Sequence, residues 1–175
     1  MSSAQKFLPS YTINDYQHWE GDWELIEGIA VSMSPSPFGP HERTVAEIAR
    51  SIGNSLDEQG TDCRVYAGLD WIISDDTVVR PDVMVVCGDQ PEKHLEKAPI
   101  IVVEVLSAST RKLDIGSKRR IYGEAGVQIY LFVDVEKKTI EINDFDSDPV
   151  VVSDGIASFS ANDMSFEVPL QNVFR

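Results

Sequence analysis

The stretch Ile100-Ile101-Val102-Val103-Glu104-Val105-Leu106 is apolar at every position but one. A strand without polar alternation belongs at the centre of a sheet, covered on both faces. A second apolar run, Val83-Met84-Val85-Val86-Cys87, is opened by Arg80-Pro81-Asp82. Pro81 cannot donate to a ladder, so this strand starts at Asp82 or is bulged there, a common setting for a functional group. Each run thus holds one carboxylate, Asp82 or Glu104, against otherwise buried strand. An ionised carboxylate in a dry core costs several kcal/mol unless a cation meets it. Two of them on adjacent strands, with no histidine or cysteine ligand set beside them, most simply share a divalent metal.

Working outward, Thr12 can cap a short helix over Ile13 to His18, with Asp15 completing a capping box. Trp23 to Ile26 and Ile29 to Met33 flank Glu27-Gly28, a hairpin signal. The proline-rich residues 34–40 form a loop. Val45, Ile48, Ala49, Ile52 and Leu56 then recur at helical spacing, giving an amphipathic helix from about His41 to Glu58. Strands follow over Cys63 to Tyr66 and Leu69 to Ile73. Beyond the Glu104 strand a second helix spans Thr110 to Ala125, with Gly126 in the terminating position. Gln128 to Asp134 and Thr139 to Asn143 make a hairpin. Phe159 to Phe174 reads as a strand or turn with a short closing segment. There is no repeat, linker or low-complexity tract, so the expectation is one domain over residues 1–175, a mixed α/β fold.

The bulk properties agree with a soluble globular protein: 42% hydrophobic and 25% charged residues in 175. No apolar run approaches the roughly 20 residues that span a bilayer, and the N-terminus lacks a basic segment followed by an apolar one, so a cytoplasmic protein is expected. Cys63 and Cys87, without CxxC spacing, read as reduced thiols. The net charge of −14 opposes nonspecific attraction to a polyanion. Yet Arg111, Lys112, Lys118, Arg119 and Arg120 fall within ten residues and form a third of the basic total, so a local positive face survives.

On the second helix, Ile115, Lys118, Tyr122 and Ala125 share one stripe, the apolar one. Lys118 is therefore a cation on an inward face, just after the strand that holds Glu104. It either pairs with Asp114 one turn back or snorkels outward, or it reaches over the sheet toward Asp82 and Glu104. Hydrolysing a phosphodiester needs a cation to neutralise developing charge and acidify the attacking water. Hard oxygen ligands suit Mg²⁺ or Mn²⁺, and a lysine beside the metal can position water or stabilise the pentavalent state.

Pro81-Asp82, then Glu104-Val105-Leu106-Ser107-Ala108-Ser109-Thr110, Asp114, Lys118, Tyr122, Gly126-Val127, Tyr130 and Val133-Asp134 resemble the Uma2 family, also called DUF820. That family is assigned to the PD-(D/E)XK restriction-endonuclease-like superfamily. The likeness covers most of the chain. It implies a restriction-endonuclease-like mixed central sheet flanked by helices, with a metal site on Asp82, Glu104 and the carbonyl of Val105. The superfamily places its lysine two residues after the glutamate, where this chain has Leu106. Either the lysine role has moved to Lys118 or catalysis is lost. Glu27 and His41 match further positions typical of the family, which implies that they line the site; the alternative is that Glu27 serves its turn and His41 the helix start.

Competing sites are weak. Ser107 and Ser109 have no base to activate them, Gly116 and Gly123 lack phosphate-loop spacing, and Trp19, Trp23 and Trp71 read as core or interface. The expectation is a Mg²⁺- or Mn²⁺-dependent endonuclease acting on DNA, with Asp82, Glu104 and Lys118 catalytic and Arg111 and Lys112 guiding the nucleic-acid backbone. A homodimer would cut both strands. The alternative is a catalytically inactive nuclease fold kept as a binding or assembly module.

Overall fold

The structure, a computed structural model, describes residues 9–33, 39–106 and 114–175. Arg111, Lys112, residues 34–38 of the expected loop and the expected start of the second helix lie outside them. Among the described residues, three sheets carry the fold. The first has four strands in the order β2 (Ile29–Ser32), β1 (Trp23–Ile26), β5 (Thr77–Val79), β4 (Trp71–Ser74). The second has six, in the order β10 (Val150–Val152), β9 (Thr139–Asn143), β8 (Ile129–Asp134), β7 (Ile101–Val105), β6 (Val83–Val86), β3 (Arg64–Ala67). A hairpin of β11 (Ile156–Ala161) and β12 (Met164–Pro169) completes the set.

Strand β7 is buried along its whole length and sits inside the six-stranded sheet. It pairs antiparallel with β6 and parallel with β8. A parallel partner needs a crossover, and the chain makes it through a π-helical turn, Asp114–Lys118, running into α3 (Arg119–Ala125). Gly126 ends α3 with φ 94°, a left-handed conformation that glycine adopts without a Cβ penalty.

Alternation along β6 and β7 divides the core. Val83, Val85, Ile101, Val103 and Val105 face α2 (Gly39–Gln59), whose Ile48, Ile52 and Leu56 meet them together with Phe159 and Phe166 of the hairpin. Burying each such side chain contributes about 1.5–3 kcal/mol. Met84, Val86 and Val102 face the other way, against Trp71, Ile121, Tyr122 and Tyr130. Glu104 is one alternation from Val102 and so belongs to this second side. Helix α1 (Ile13–Tyr16) carries the Thr12/Asp15 capping box, and α4 (Leu170–Val173) closes the fold.

The β1–β2 hairpin turns on Glu27 and Gly28, with φ 50° and 79°. Two positive φ values are what a two-residue hairpin of this hand demands. At Gly28 a Cβ would also stand 2.5 Å from Ser10 Oγ.

Three expectations change. Cys63 and Cys87 are joined in a disulfide rather than held as free thiols. Their spacing gives no hint of it, but Arg64 lies opposite Val86 in the β3–β6 ladder, which puts the flanking residues 63 and 87 opposite each other. The C-terminal segment is a full β11–β12 hairpin, and β10 adds an edge strand. Its valines 150 and 151 are largely exposed, so no buried run marks it. Strand β6 begins at Val83, and Arg80 to Asp82 form the corner where the chain leaves one sheet for the other. Among the described residues no helix is long and apolar enough to cross a membrane.

Candidate active site

The corner at Arg80 to Asp82 and the C-terminal end of β7 lie side by side, because Val83 pairs with Val103. Asp82 Oδ2 accepts a hydrogen bond from the Val105 backbone N–H at 2.7 Å. The carboxylate thus satisfies a donor that the interrupted strand leaves without a ladder partner. From the α2 side, His41 Nε2 approaches the same oxygen at 3.4 Å. Burial pulls the His41 imidazole toward neutrality, but the hydrogen bond and charge of Asp82, with Glu42 adding, raise its pKa above the ordinary value. His41 Nδ1 is buried and makes no hydrogen bond among the described residues. Its 3.6 Å approach to Glu42 Oε1 is too long for one.

The second half of the site is a buried ion cluster. Lys118 closes the π-helical turn, and its ammonium lies 3.0 Å from Glu104 Oε1 and 2.8 Å from Glu24 Oε1. All three side chains are about 5% exposed. Burying one ammonium is tolerable only with strong partners, and two carboxylates supply them. Glu24 Oε1 also accepts the backbone N–H of Arg80 at 2.9 Å, so one carboxylate ties the β5–β6 corner to the lysine. Tyr122, one turn past Lys118, donates its hydroxyl to Glu104 Oε1 at 2.5 Å. Burial, then the charges of Glu104 and Glu24, raise the Tyr122 pKa well above the ordinary phenol value. The hydroxyl therefore keeps its proton and remains a donor. Its ring stacks on Trp71 with centroids 5.8 Å apart and meets Tyr130 edge-on at 5.4 Å, which sets the hydroxyl's direction.

The expected residues therefore separate into groups. Lys118 and Tyr122 both meet Glu104, and Asp82, Val105 and His41 form the adjoining set. Glu27 lies on the hairpin turn, 54% exposed, where its carboxylate meets Arg120 of α3. Asp114 opens the π-helical turn. Arg111 and Lys112 fall outside the described residues. Arg80 turns its guanidinium to Asp70 at 2.6 Å and Asp22 at 2.8 Å, and the Asp70 hydrogen bond in particular keeps it firmly protonated.

Glu24 is the member that sequence reasoning missed. The signal was present in Trp23-Glu24-Leu25-Ile26, a carboxylate inside an apolar strand, the same pattern that marks Glu104.

Among the described residues no group of three or more histidine, cysteine, aspartate or glutamate side chains converges as a metal site. A magnesium-like ion asks for less: one or two carboxylates, with water and substrate oxygens filling the octahedron. Asp82 and Glu104, at the same end of adjacent strands, match that oxygen chemistry. Asp82 Oδ1 carries no hydrogen bond among the described residues.

The Uma2 family model, described as "Putative restriction endonuclease", matches residues 13–155. A solved structure described as a "putative nuclease belonging to DUF820", from Anabaena variabilis, is similar in fold. Its TM-score is 0.77 at 17% sequence identity, over 93% of this chain and 97% of that one. No curated protein matches the chain.

Proposed function

The chain belongs to the Uma2 family, and from that membership and the geometry around Glu104 we propose that it is a metal-dependent endonuclease hydrolysing phosphodiester bonds in DNA. The observation that carries this reading is the buried contact of Lys118 with Glu104. It places an ammonium beside the glutamate although the superfamily's usual lysine position holds Leu106. Asp82, Glu104 and the carbonyl of Val105 would hold Mg²⁺ or Mn²⁺. The ion would supply charge neutralisation at the phosphate and a more acidic bound water.

The protein's own groups have separate tasks. Lys118, held by Glu24 and Glu104, is the cation that would act on the attacked phosphate or the nucleophilic water. Glu24 and Tyr122 act through others: Glu24 holds the ammonium and the Arg80 corner, and Tyr122 orients the Glu104 carboxylate. His41 keeps Asp82 turned to the end of β7. A DNA substrate goes with a cytoplasmic location, and a homodimer would present two sites to the two strands.

A second reading is favoured by one observation. Lys118 is already engaged by two carboxylates, so the cluster could serve as a structural ion pair in a nuclease fold kept for binding or assembly. Calorimetric titration of Mn²⁺ into wild type and into the Asp82→Ala/Glu104→Ala protein, with cleavage of labelled DNA, separates the two. Metal heats and cleavage that both vanish in the variant support the enzyme. Equal heats in the two proteins, with no cleavage by wild type, leave the binding module.

A further inference from the structure

With 29 acidic residues against 15 basic ones, a cavity whose charged side chains are all cationic is out of character for this surface. One such cavity, about 390 Å³, opens between the start of α2, the β8–β9 turn and the residues after α4. Arg43, Lys138 and Arg175 line it, and no acidic side chain does among the described residues. All three cations are exposed. Arg43 Nη1 donates to the Arg175 carbonyl oxygen at 2.9 Å, and Arg175 Nη2 donates to Asn172 Oδ1 at 2.6 Å. These bonds position the two guanidinium groups. Lys138 has no partner among the described residues. The neighbouring carboxylate, Glu47, pairs with Arg50 and also feels the charges of Arg175 and Arg43, so it offsets the cavity's cations only in part. Gly39 and Pro40, the first residues of the 21-residue α2, form part of the rim, so the positive end of the helix dipole adds to the field.

The location connects this cavity to the candidate active site. Arg43 stands two residues after His41, which meets Asp82. Val135, also on the lining, follows β8. That strand runs parallel to β7 with Val133 opposite Val105, the residue whose N–H holds Asp82. Cavity and carboxylates therefore share one end of the six-stranded sheet, the cavity on the α2 side with His41, and Glu104 toward the other face.

We propose that Arg43, Lys138 and Arg175 cradle the phosphate backbone of the nucleic acid beside the bond to be cut. This rests on the nuclease reading above and names the surface that overcomes a net charge of −14. Phosphate contacts position a duplex without reading its sequence. The cradle should therefore give affinity that is independent of sequence and strongly dependent on salt.

The test is fluorescence anisotropy of labelled DNA duplexes of two unrelated sequences, in chelator, across a salt series. Wild type is compared with Lys138→Gln and with Arg43→Gln/Lys138→Gln. Each lost cation should reduce the slope of log K against log salt by about 1, so the double variant should lose about 2, alike for both sequences. Lys138 sits on an exposed turn, so the single variant remains folded if loss of the Arg43 bond perturbs the pair. Unchanged affinity and slope in both variants overturns the cradle while leaving the nuclease reading standing, as does a loss confined to one sequence. Wild-type protein that binds neither duplex, single strand nor RNA at low salt also overturns it. The Mn²⁺ titration on Asp82 and Glu104 then judges the nuclease reading separately.

Discussion

Replacing Lys118 with methionine tests the central cluster through stability alone. Methionine roughly matches the lysine stem in volume and adds no polar group. It removes the ammonium that lies 2.8 Å from Glu24 and 3.0 Å from Glu104. Two carboxylates about 5% exposed then face each other without their shared cation. Glu104 keeps the Tyr122 hydroxyl and Glu24 keeps the Arg80 N–H, but neither bond carries a positive charge. Removing one side of a buried ion pair typically costs about 3–5 kcal/mol. In a domain of this size about 1 kcal/mol moves the melting temperature by 2–4 °C, so the expected fall is about 6–20 °C. Circular-dichroism melts of metal-free protein provide the measurement. A second set, Glu24→Gln alone and combined with Lys118→Met, measures the coupling. The double variant should lose less than the sum of the singles, by about 1–3 kcal/mol. A Lys118→Met protein that melts with wild type, or strictly additive losses, refutes a buried lysine bridging two carboxylates.

Three further outcomes are expected. Tyr122→Phe keeps the stack on Trp71 and removes only the hydroxyl bond to Glu104, so denaturant melts should show a loss of about 1.5–3 kcal/mol, and full retention of stability would remove the hydroxyl from the cluster. Burial and then the Asp70 charge push the Tyr16 pKa up to about 12 from 10. A phenol whose folded pKa is raised contributes stability that is complete below the unfolded value and is lost as pH rises between the two. Wild type should therefore lose stability between about pH 10 and 12 in a way that Tyr16→Phe does not, and parallel alkaline melting curves would contradict this. Reducing the Cys63–Cys87 bond, which closes a loop with a sequence separation of 24, should cost up to about 3.5 kcal/mol by the loop-entropy account. Scanning calorimetry with and without reductant should show a fall of about 7–14 °C, and a coincident pair of scans would rule out that contribution.

Much of the framework is readable along the chain because it is written in local patterns. The apolar period of α2, the two-residue turn at Glu27-Gly28, the stop at Gly126 and the unbroken apolar run of β7 each depend on neighbours a few residues away. Glu104 and Asp82 stand out for the same reason: a carboxylate against an apolar run is costly wherever the chain goes. The edge strand β10 escaped notice because its exposed valines sit in no buried context. The disulfide escaped because only the β3–β6 register brings residues 63 and 87 together.

By itself the sequence determined that one end of a buried strand would carry a carboxylate, and that an inward lysine and tyrosine would follow it on a helix. It could not determine where that lysine would point. Lys118 had a candidate partner one turn away, and a competing set that is remote along the chain. Only the packing of β1 and the π-helical turn against the end of β7 places Glu24 and Glu104 on either side of the ammonium. The outcome is tertiary because a buried charge takes whichever opposite charge shares its desolvated space, and sequence distance plays no part in that choice.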